Sequence, residues 1–288
     1  MARAPKALPG PAKTQGFQEV ADGIHVFIGG EGRTNFGFVL TKEGAIVIDN
    51  DIRARKPFVE GMRRITRAKV RLVLNTHHNF DHTSDNEFYA AQGAAVIGAE
   101  PIAQEMERER PFWFQQMAGR GPSVKQYIGK RDIYPPQVCF RGSLTMRLGG
   151  RTVELTHMGH GHTKGDSIVY FPQQKVLFTG DLVFGRTHPV ARLANTESWL
   201  KLLGQLLRVE ARYAVPGHGP VGRGKVQIEE MLQYWRTLRA RVGALVRQGL
   251  PEGEIQKRVR MEEYRRWYRT QLVPETVGRV AREMRRRR

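Results

Sequence analysis

The sequence has almost no cysteine and no long apolar run. Its one cysteine, Cys139, cannot form an internal disulfide, so nothing in the chain argues for an oxidising compartment. Because this cysteine precedes Phe140 in the sequence, we expect it to be a small residue of the core. No window approaches the ~18 apolar residues of a membrane span, and the N-terminal MARAPKALPGPAKTQ lacks the apolar stretch of a signal peptide. We therefore expect a soluble, cytoplasmic protein without a membrane partner.

Acidic residues are scarce relative to basic ones. The chain has 28 Asp and Glu against 47 Lys and Arg, a formal net charge of +19, and 16 basic but only 6 acidic residues lie over 236–288. Such a segment can bind nucleic acid or another anionic surface. No nucleic-acid-binding motif accompanies the charge, so we favour a solvated helical face and keep nucleic acid as the less favoured partner.

The pattern of apolar residues divides the chain into three parts. Residues 1–16 contain Pro and Gly but few large apolar residues, as in a flexible arm. Over 17–222, short β-rich runs alternate with helical segments, which predicts one α+β domain. Its Glu-, Arg- and aromatic-rich stretch over 100–137 is an insertion, and is either a lid over a site or the cover of a core edge.

The third part, over 223–288, consists of basic helices that we expect to pack on the same domain. An apolar stripe favours core packing over a partner interface, although a homodimer stays slightly preferred over a monomer. The stripe is formed by Trp235, Leu238, Val242 and Leu245.

The densest group of polar side chains directly follows the apolar run Val70–Asn75. It contains three His and one Asp within six residues, His77-His78-Asn79-Phe80-Asp81-His82. The ends of strands are where α/β proteins place ligands. Imidazole nitrogen and carboxylate oxygen suit Zn²⁺ or a similar metal. Packing does not readily explain so many polar groups there, so the sequence predicts a metal site.

Three later segments repeat this placement at the end of a strand. They are Gly161-His162-Thr163, Thr179-Gly180-Asp181 and Pro216-Gly217-His218-Gly219. A glycine beside each ligand-type residue lets the backbone turn sharply and bring the side chain inward. Together the four segments predict one metal centre, built from His77, Asp81, His82, His162, Asp181 and His218.

The order of these motifs, from about Val20 to Gly222, resembles the metallo-β-lactamase superfamily and especially its glyoxalase II-like hydrolases. The family's first motif is T-H-x-H-x-D-H, followed by a His, a bridging Asp and a final His. The tail, with Met261–Tyr264 and Pro274–Val277, is similar to hydrolases of the quinoprotein-relay type. The resemblance implies a four-layer αββα sandwich and Zn²⁺ as cofactor, with one or two ions and with Fe or Mn as alternatives.

The resemblance also implies a role for each ligand. His77 and His162 would serve a first metal site. The second site would use Asp81, His82 and His218. Asp181 would bridge the two sites, and Asp49 would support the metal loops. His78, His160 and His188 are candidates for positions beside the ligands or in the pocket.

Asn79 departs from the family motif, because it stands where the second motif His is expected. A neutral amide oxygen is a far poorer zinc ligand than imidazole. We therefore expect one tightly held metal in the second site and a weak or empty first site. Three alternatives stay open: two metals with Asn79 tolerated, His78 as a substitute ligand in a remodelled loop, and a degraded centre.

The function implied by the resemblance is hydrolysis of an ester, thioester, lactone or amide bond in a small molecule by a metal-bound hydroxide. Asp81 would orient the proton of the nucleophile, and Asn79 would donate a hydrogen bond to the oxyanion. The Asp at position 181 argues against β-lactam hydrolysis beyond weak promiscuous turnover. The alternatives are a metal- or ligand-binding pseudoenzyme and, because of the charge, a nuclease, although the family's nucleases carry an additional inserted domain.

Overall fold

Two β-sheets lie at the centre of the fold, which the computed structural model describes for residues 16–118 and 132–286. The first sheet has seven strands in the order β1 to β7, and the second has six in the order β13-β12-β11-β10-β9-β8. The predicted arm lies outside the described residues except for Gly16, as do residues 119–131 of the predicted insertion. The strands are β1 (Gly16–Ala21), β2 (Ile24–Ile28), β3 (Phe36–Thr41), β4 (Gly44–Ile48), β5 (Val70–Leu74), β6 (Ala95–Ala99), β7 (Val138–Phe140), β8 (Ser143–Leu148), β9 (Arg151–Gly159), β10 (Asp166–Phe171), β11 (Val176–Phe184), β12 (Tyr213–His218) and β13 (Gly222–Arg223).

Both sheets are mixed. In the first, β1 to β4 form an antiparallel meander and β4 to β7 run parallel. In the second, β8 to β11 are antiparallel, and β11 pairs in parallel with β12. The parallel strands β4, β5 and β6 are almost continuously apolar, as expected for strands covered on both faces.

Helices cover the outer faces of the two sheets. None of the described helices is both long and apolar enough to cross a membrane. The helices are α1 (Arg55–Ile65), α2 (Phe80–Thr83), α3 (Asn86–Ala90), α4 (Glu100–Ala118), α5 (Thr196–Leu206), α6 (Val226–Arg247), α7 (Glu252–Arg258) and α8 (Val273–Arg285), with 3₁₀ turns at Ile52–Ala54, Glu262–Tyr264 and Thr270–Leu272.

Buried apolar side chains form three clusters, one for each interface between layers. Along a strand, neighbouring side chains point to opposite faces. Val26 of β2 therefore belongs to the cluster between the sheets, whereas Phe27 belongs to the cluster with Phe58 of α1. On the other side, Leu177 of β11 shares a cluster with Trp235 of α6. The result is the four-layer αββα sandwich, an α+β fold.

Some local features differ from the sequence-based expectations. Two of the segments expected at the ends of strands lie within the strands themselves, since β11 includes Asp181 and β12 includes His218. The apolar stripe of α6 is core, since Trp235, Leu238 and Val242 are fully buried. Cys139 is exposed, contrary to expectation, because β7 is the edge strand of its sheet.

Candidate metal centre

The loop that follows β5 carries most of the candidate ligands, and Asp49 holds its start. Asp49 lies at the end of β4 with a left-handed φ of 55°. It accepts hydrogen bonds from the Thr76 backbone N–H at 2.8 Å and from Thr76 Oγ1 at 2.7 Å. It also contacts His82 Nδ1 at 2.9 Å. A single buried carboxylate thus ties the first and last parts of this loop together.

Asp181 is the point at which the separate segments meet. Its carboxylate lies within 3.7 Å of the Nε2 atom of each of four histidines. The distances are 3.7 Å for His77, 3.2 Å for His82, 3.5 Å for His162 and 3.3 Å for His218. Asp81 adds a second carboxylate, with Oδ2 3.6 Å from His218 Nε2. The structure therefore brings all six candidate ligands together.

Glycines next to two of these residues make the close approach possible. Gly180 has a left-handed φ of 50°, and a Cβ there would lie 2.5 Å from Thr76 Oγ1. A Cβ at Gly217 would overlap Asp181 Oδ1. Since any larger residue would push the loops apart, these glycines are part of the site.

Each of the four histidines is oriented through its Nδ1 atom. His82 Nδ1 contacts Asp49, and His77 Nδ1 lies 3.1 Å from Thr76 Oγ1. His162 Nδ1 and His218 Nδ1 donate to backbone oxygens, at 3.0 Å to Val190 and 3.1 Å to Gly32. Nδ1 thus carries the hydrogen in the neutral rings, and the Nε2 lone pairs face the centre. This is the usual orientation of metal-ligating histidine.

Unpaired polar atoms at the centre indicate what it is suited to hold. His77 Nε2, His82 Nε2 and Asp181 Oδ1 are buried, with no hydrogen-bond partner. Burying such groups unpaired is costly, and a cation would satisfy them together. Two sets have ligand atoms within 4.8 Å of one another: His77 with His82 and Asp181, and Asp81 with His82 and His218. The residues therefore fit a metal with mixed imidazole and carboxylate ligands.

The electrostatics of the site also suit a cation. Burial lowers the pKa of His77 well below its ordinary value. Burial alone would raise the pKa of Asp81, but His82, His218 and Arg53 hold it below its usual range, so this carboxylate is ionised. Burial also disfavours protonated His82, yet Asp181 and Asp49 outweigh it and raise its pKa. A metal would have to displace that proton.

Asn79 occupies the place of a missing imidazole and contacts a ligand. Its Nδ2 atom lies 2.8 Å from His162 Nε2. Because His162 Nδ1 donates to Val190 O, Nε2 is the acceptor in this contact, and the amide uses the lone pair that a metal would need. His162 belongs to neither of the two ligand sets.

A cavity of about 480 Å³ opens onto the centre. Asp81, Asp181 and His218 lie at its floor, together with Asn79 and His78. Phe80 and two residues of α4, Phe112 and Trp113, supply apolar walls, so the described part of the predicted insertion does border the site. The size of the cavity suits a small molecule.

The other candidate histidines take different positions. His78 lines the cavity and both of its ring nitrogens are buried without a partner, but it joins neither ligand set. His160 Nε2 contacts Leu193 O at 2.7 Å. His188 lies outside the cavity lining, with Nδ1 3.1 Å from Tyr234 Oη and its ring near Trp267. His188 therefore packs against the C-terminal segment and helps to hold it in place.

Three residues that the sequence did not single out support the ligands. Asp166 accepts hydrogen bonds from the backbone N–H groups of 161–163 and so shapes the His162 loop. Thr34 Oγ1 donates to Asp81 Oδ2 at 2.7 Å, and Arg53 Nη2 lies 3.8 Å from the same oxygen. Asp166, four residues after His162, could have been found from spacing, but Thr34 and Arg53 lack any local signal.

Comparison with curated proteins finds relatives at low sequence identity. The chain is 26% identical over 153 residues to the 2,4-dinitroanisole O-demethylase subunit alpha of Nocardioides sp. (strain JS1661), covering 53% of this chain and 41% of that protein. It is 23% identical over 283 residues to the linear primary-alkylsulfatase of Pseudomonas sp. (strain ATCC 19151), covering 84% and 53%. The chain thus spans about half the length of these curated relatives.

The fold is also similar to that of a solved structure, the metallo-β-lactamase from Pontibacter korlensis. The TM-score is 0.60 at 22% identity, and the match covers 77% of this chain and 99% of that one. Residues 29–218, which contain every ligand of the centre, match the family described as the metallo-β-lactamase superfamily. This chain belongs to the metallo-β-lactamase superfamily.

Proposed function

We propose that this protein is a metal-dependent hydrolase that cleaves an ester, thioester, lactone or amide bond in a small molecule. The observation that carries the proposal is the convergence of four histidine Nε2 atoms on the Asp181 carboxylate at the floor of a cavity. No packing role accounts for unpaired buried nitrogens and oxygens at such a place.

The ligands would divide between two positions. Asp81, His82 and His218 would hold one ion, His77 and His162 would serve another, and Asp181 would be shared. When bound, such an ion lowers the pKa of a water and polarises a carbonyl oxygen. Zn²⁺ fits this mixed donor set, and Fe and Mn²⁺ are alternatives.

Asp81 is the residue placed to handle the proton of the attacking water. Its Oδ2 atom is fixed by the Thr34 hydroxyl and lies near Arg53, while the side chain borders the cavity. An ionised carboxylate in this position would accept a hydrogen bond from the water and orient its lone pair. Asn79, on the same cavity floor, would donate a hydrogen bond from Nδ2 to the carbonyl oxygen as negative charge develops there.

We further propose that the second position is occupied more tightly than the first. The contact between Asn79 Nδ2 and His162 Nε2 supports this, because it competes with a metal for the lone pair of His162. The same contact favours the alternative function, a metal- or ligand-binding protein that has lost catalysis.

Hydrolysis of a substrate panel by the metal-loaded protein tests the proposal. The panel holds nitrophenyl esters, acyl thioesters, lactones, amides and a β-lactam, plus a primary alkyl sulfate because of the alkylsulfatase relative. We expect turnover of at least one ester-type substrate that is lost with chelator, restored with Zn²⁺ and abolished in Asp181→Asn. The exposed Asp22→Asn is the matched control. A fully metal-loaded protein that cleaves none of these would support the binding protein instead.

A further inference from the structure

A short C-terminal segment holds one arginine over the cavity in an unusual conformation. Arg269 has a left-handed φ of 61°, which is strained for a residue with a side chain. The segment before it is fixed to the loop that follows β11: Tyr268 N–H donates to Arg186 O at 2.9 Å, and His188 N–H donates to Tyr268 O at 2.9 Å. Such a conformation persists only where the surroundings impose it, so the direction of Arg269 is set by this docking.

The arginines that line the cavity differ in how they are neutralised. Arg53 forms hydrogen bonds to both oxygens of Asp51 and stacks on the Phe80 ring, 4.4 Å from its centroid. Arg192 is paired with Glu109 and lies over the ring of Phe112. Their charges and donors are therefore already engaged.

Arg269 is partly buried and lines the same cavity, but among the described residues its guanidinium has no hydrogen bond and no ion pair. The carboxylates that act on its charge most strongly are Asp81 and Asp181, the candidate metal ligands. A bound cation would neutralise both of them. The guanidinium would then face the cavity with its donors free.

We propose that Arg269 binds an anionic group of the substrate, so that the substrate is a small molecule with an apolar body and a carboxylate or sulfur oxyanion. The proposal rests on the hydrolase function in calling the bound molecule a substrate, whereas the binding site itself is inferred from the geometry. An arginine can bind such an anion through two parallel hydrogen bonds.

The rest of the cavity suits a ligand that has an apolar body and an anionic group at one end. Phe112, Trp113 and Leu272 provide apolar surface for the body of the molecule. Two other carboxylates line the cavity: Glu109 forms an ion pair with Arg192, and Glu275 is exposed. An anion of matching length would thus lie between the metal ligands and the C-terminal segment.

Calorimetric titration of the Zn²⁺-loaded protein with octanoate, octane-1-sulfonate and neutral octanamide tests the proposal. We expect the anions to bind more tightly than the amide, and Arg269→Met to weaken the preferred anion about 10- to 100-fold, as expected for hydrogen bonds to a charged group. Arg269→Lys should retain part of the affinity. Arg266→Met, an exposed arginine outside the cavity lining, should bind as the unaltered protein does. Preference between the two anions distinguishes a carboxylate from a sulfur oxyanion.

Three results would overturn the proposal: no measurable binding of either anion, equal affinity in Arg269→Met with unchanged metal content, or an equal loss in Arg266→Met. The second would mean that the metal or Arg53 holds the anion. Circular dichroism and metal content identify a variant that has not folded, and Arg269→Lys then serves in its place. Because binding is measured without turnover, Arg269-dependent binding by an inactive protein would contradict only the hydrolase function.

Discussion

Asn79 is the residue on which the proposed difference between the two metal positions depends. Compared with the family motif it lacks an imidazole at the first position and, through Nδ2, it engages the lone pair of His162, a candidate ligand of that position. The ligands of the other position are untouched by it, and Asp81, His82 and His218 form a compact set. The proposed asymmetry therefore rests on a single residue.

Replacing Asn79 by His should raise the metal content. We expect the unaltered protein to bind one Zn²⁺ per chain and Asn79→His to bind two, because imidazole adds a ligand and frees His162. Elemental analysis after gel filtration measures the ratio. Asn79→Ala, which frees His162 without adding a ligand, is the matched control and should stay near one. Two ions in the unaltered protein would show that Asn79 is tolerated or acts as a ligand.

At the scale of single residues, the sequence predicted the ligands that come together, and the family resemblance also indicated Asp49 as their support, but Thr34, Arg53 and Asp166 were not predicted. The six candidate ligands follow strand ends beside glycine, so their position was visible in the local pattern. Thr34 lies 47 positions from Asp81, and Arg269 approaches the centre from the C-terminal segment. Such contacts depend on the packing of distant segments, which no local pattern encodes.

The C-terminal helices are joined to the sandwich by a buried carboxylate. Glu283 of α8 accepts hydrogen bonds from the backbone N–H groups of Thr196 and Glu197 at the start of α5, at 2.9 and 3.1 Å. It also pairs with Arg239 of α6 at 3.0 Å. A carboxylate at a helix N-terminus satisfies free donors and is favoured by the helix dipole. One side chain thus links three helices.

Glu283→Ala should therefore destabilise the protein strongly. Removing Glu283 takes away the carboxylate shared by Arg239 and the N-terminus of α5, and among the described residues Arg239 keeps only Thr196 Oγ1 and Glu197 at 3.9 Å. Breaking such a buried ion pair costs about 3–5 kcal/mol. Urea unfolding followed by circular dichroism measures the change in free energy. Glu262→Ala, at an exposed glutamate of the same segment, is the control and should change it by less than about 0.5 kcal/mol. Equal stability of the two variants would show that Glu283 does not join these helices.

Strand and helix positions were largely visible in the sequence, whereas their ends at the site were not. Periodicity predicted the alternation of β-rich and helical segments and the apolar stripe of α6, because these apolar patterns are regular. β11 continues through Gly180 and Asp181 to Phe184, with register shifts against β12. Gly180, at one of these shifts, lies against Thr76, and Phe184 after the other pairs with His218. These irregularities accompany tertiary contacts that the local pattern does not show.

In the whole molecule, the candidate metal centre lies at the edge of an apolar sandwich. A metal ion bound there should therefore stabilise the folded state. Without it, the like charges of Asp81 and Asp181 act on each other within the site. At free metal about 100 times the dissociation constant, binding adds about 2.7 kcal/mol. We expect chelation to lower the melting temperature by about 5–10 °C and Zn²⁺ to restore it. Scanning calorimetry measures both, and His218→Ala should show a smaller shift. A chelator-independent midpoint would contradict structural coupling of the metal.

The net charge of +19 is a property of the whole molecule, but its C-terminal share is partly neutralised in the fold. Arg241 pairs with Glu263 at 2.9 Å, Lys257 with Glu254 at 3.1 Å, and Arg282 with Glu252. We therefore expect labelled single-stranded RNA to bind weakly at about 50 mM salt and to be released by about 200 mM, as in non-specific phosphate contact. Fluorescence anisotropy measures this. Glu263→Gln, which removes the carboxylate paired with Arg241, should strengthen the low-salt binding only. Tight binding that survives 200 mM salt would instead identify a nucleic-acid surface and revive a nuclease function.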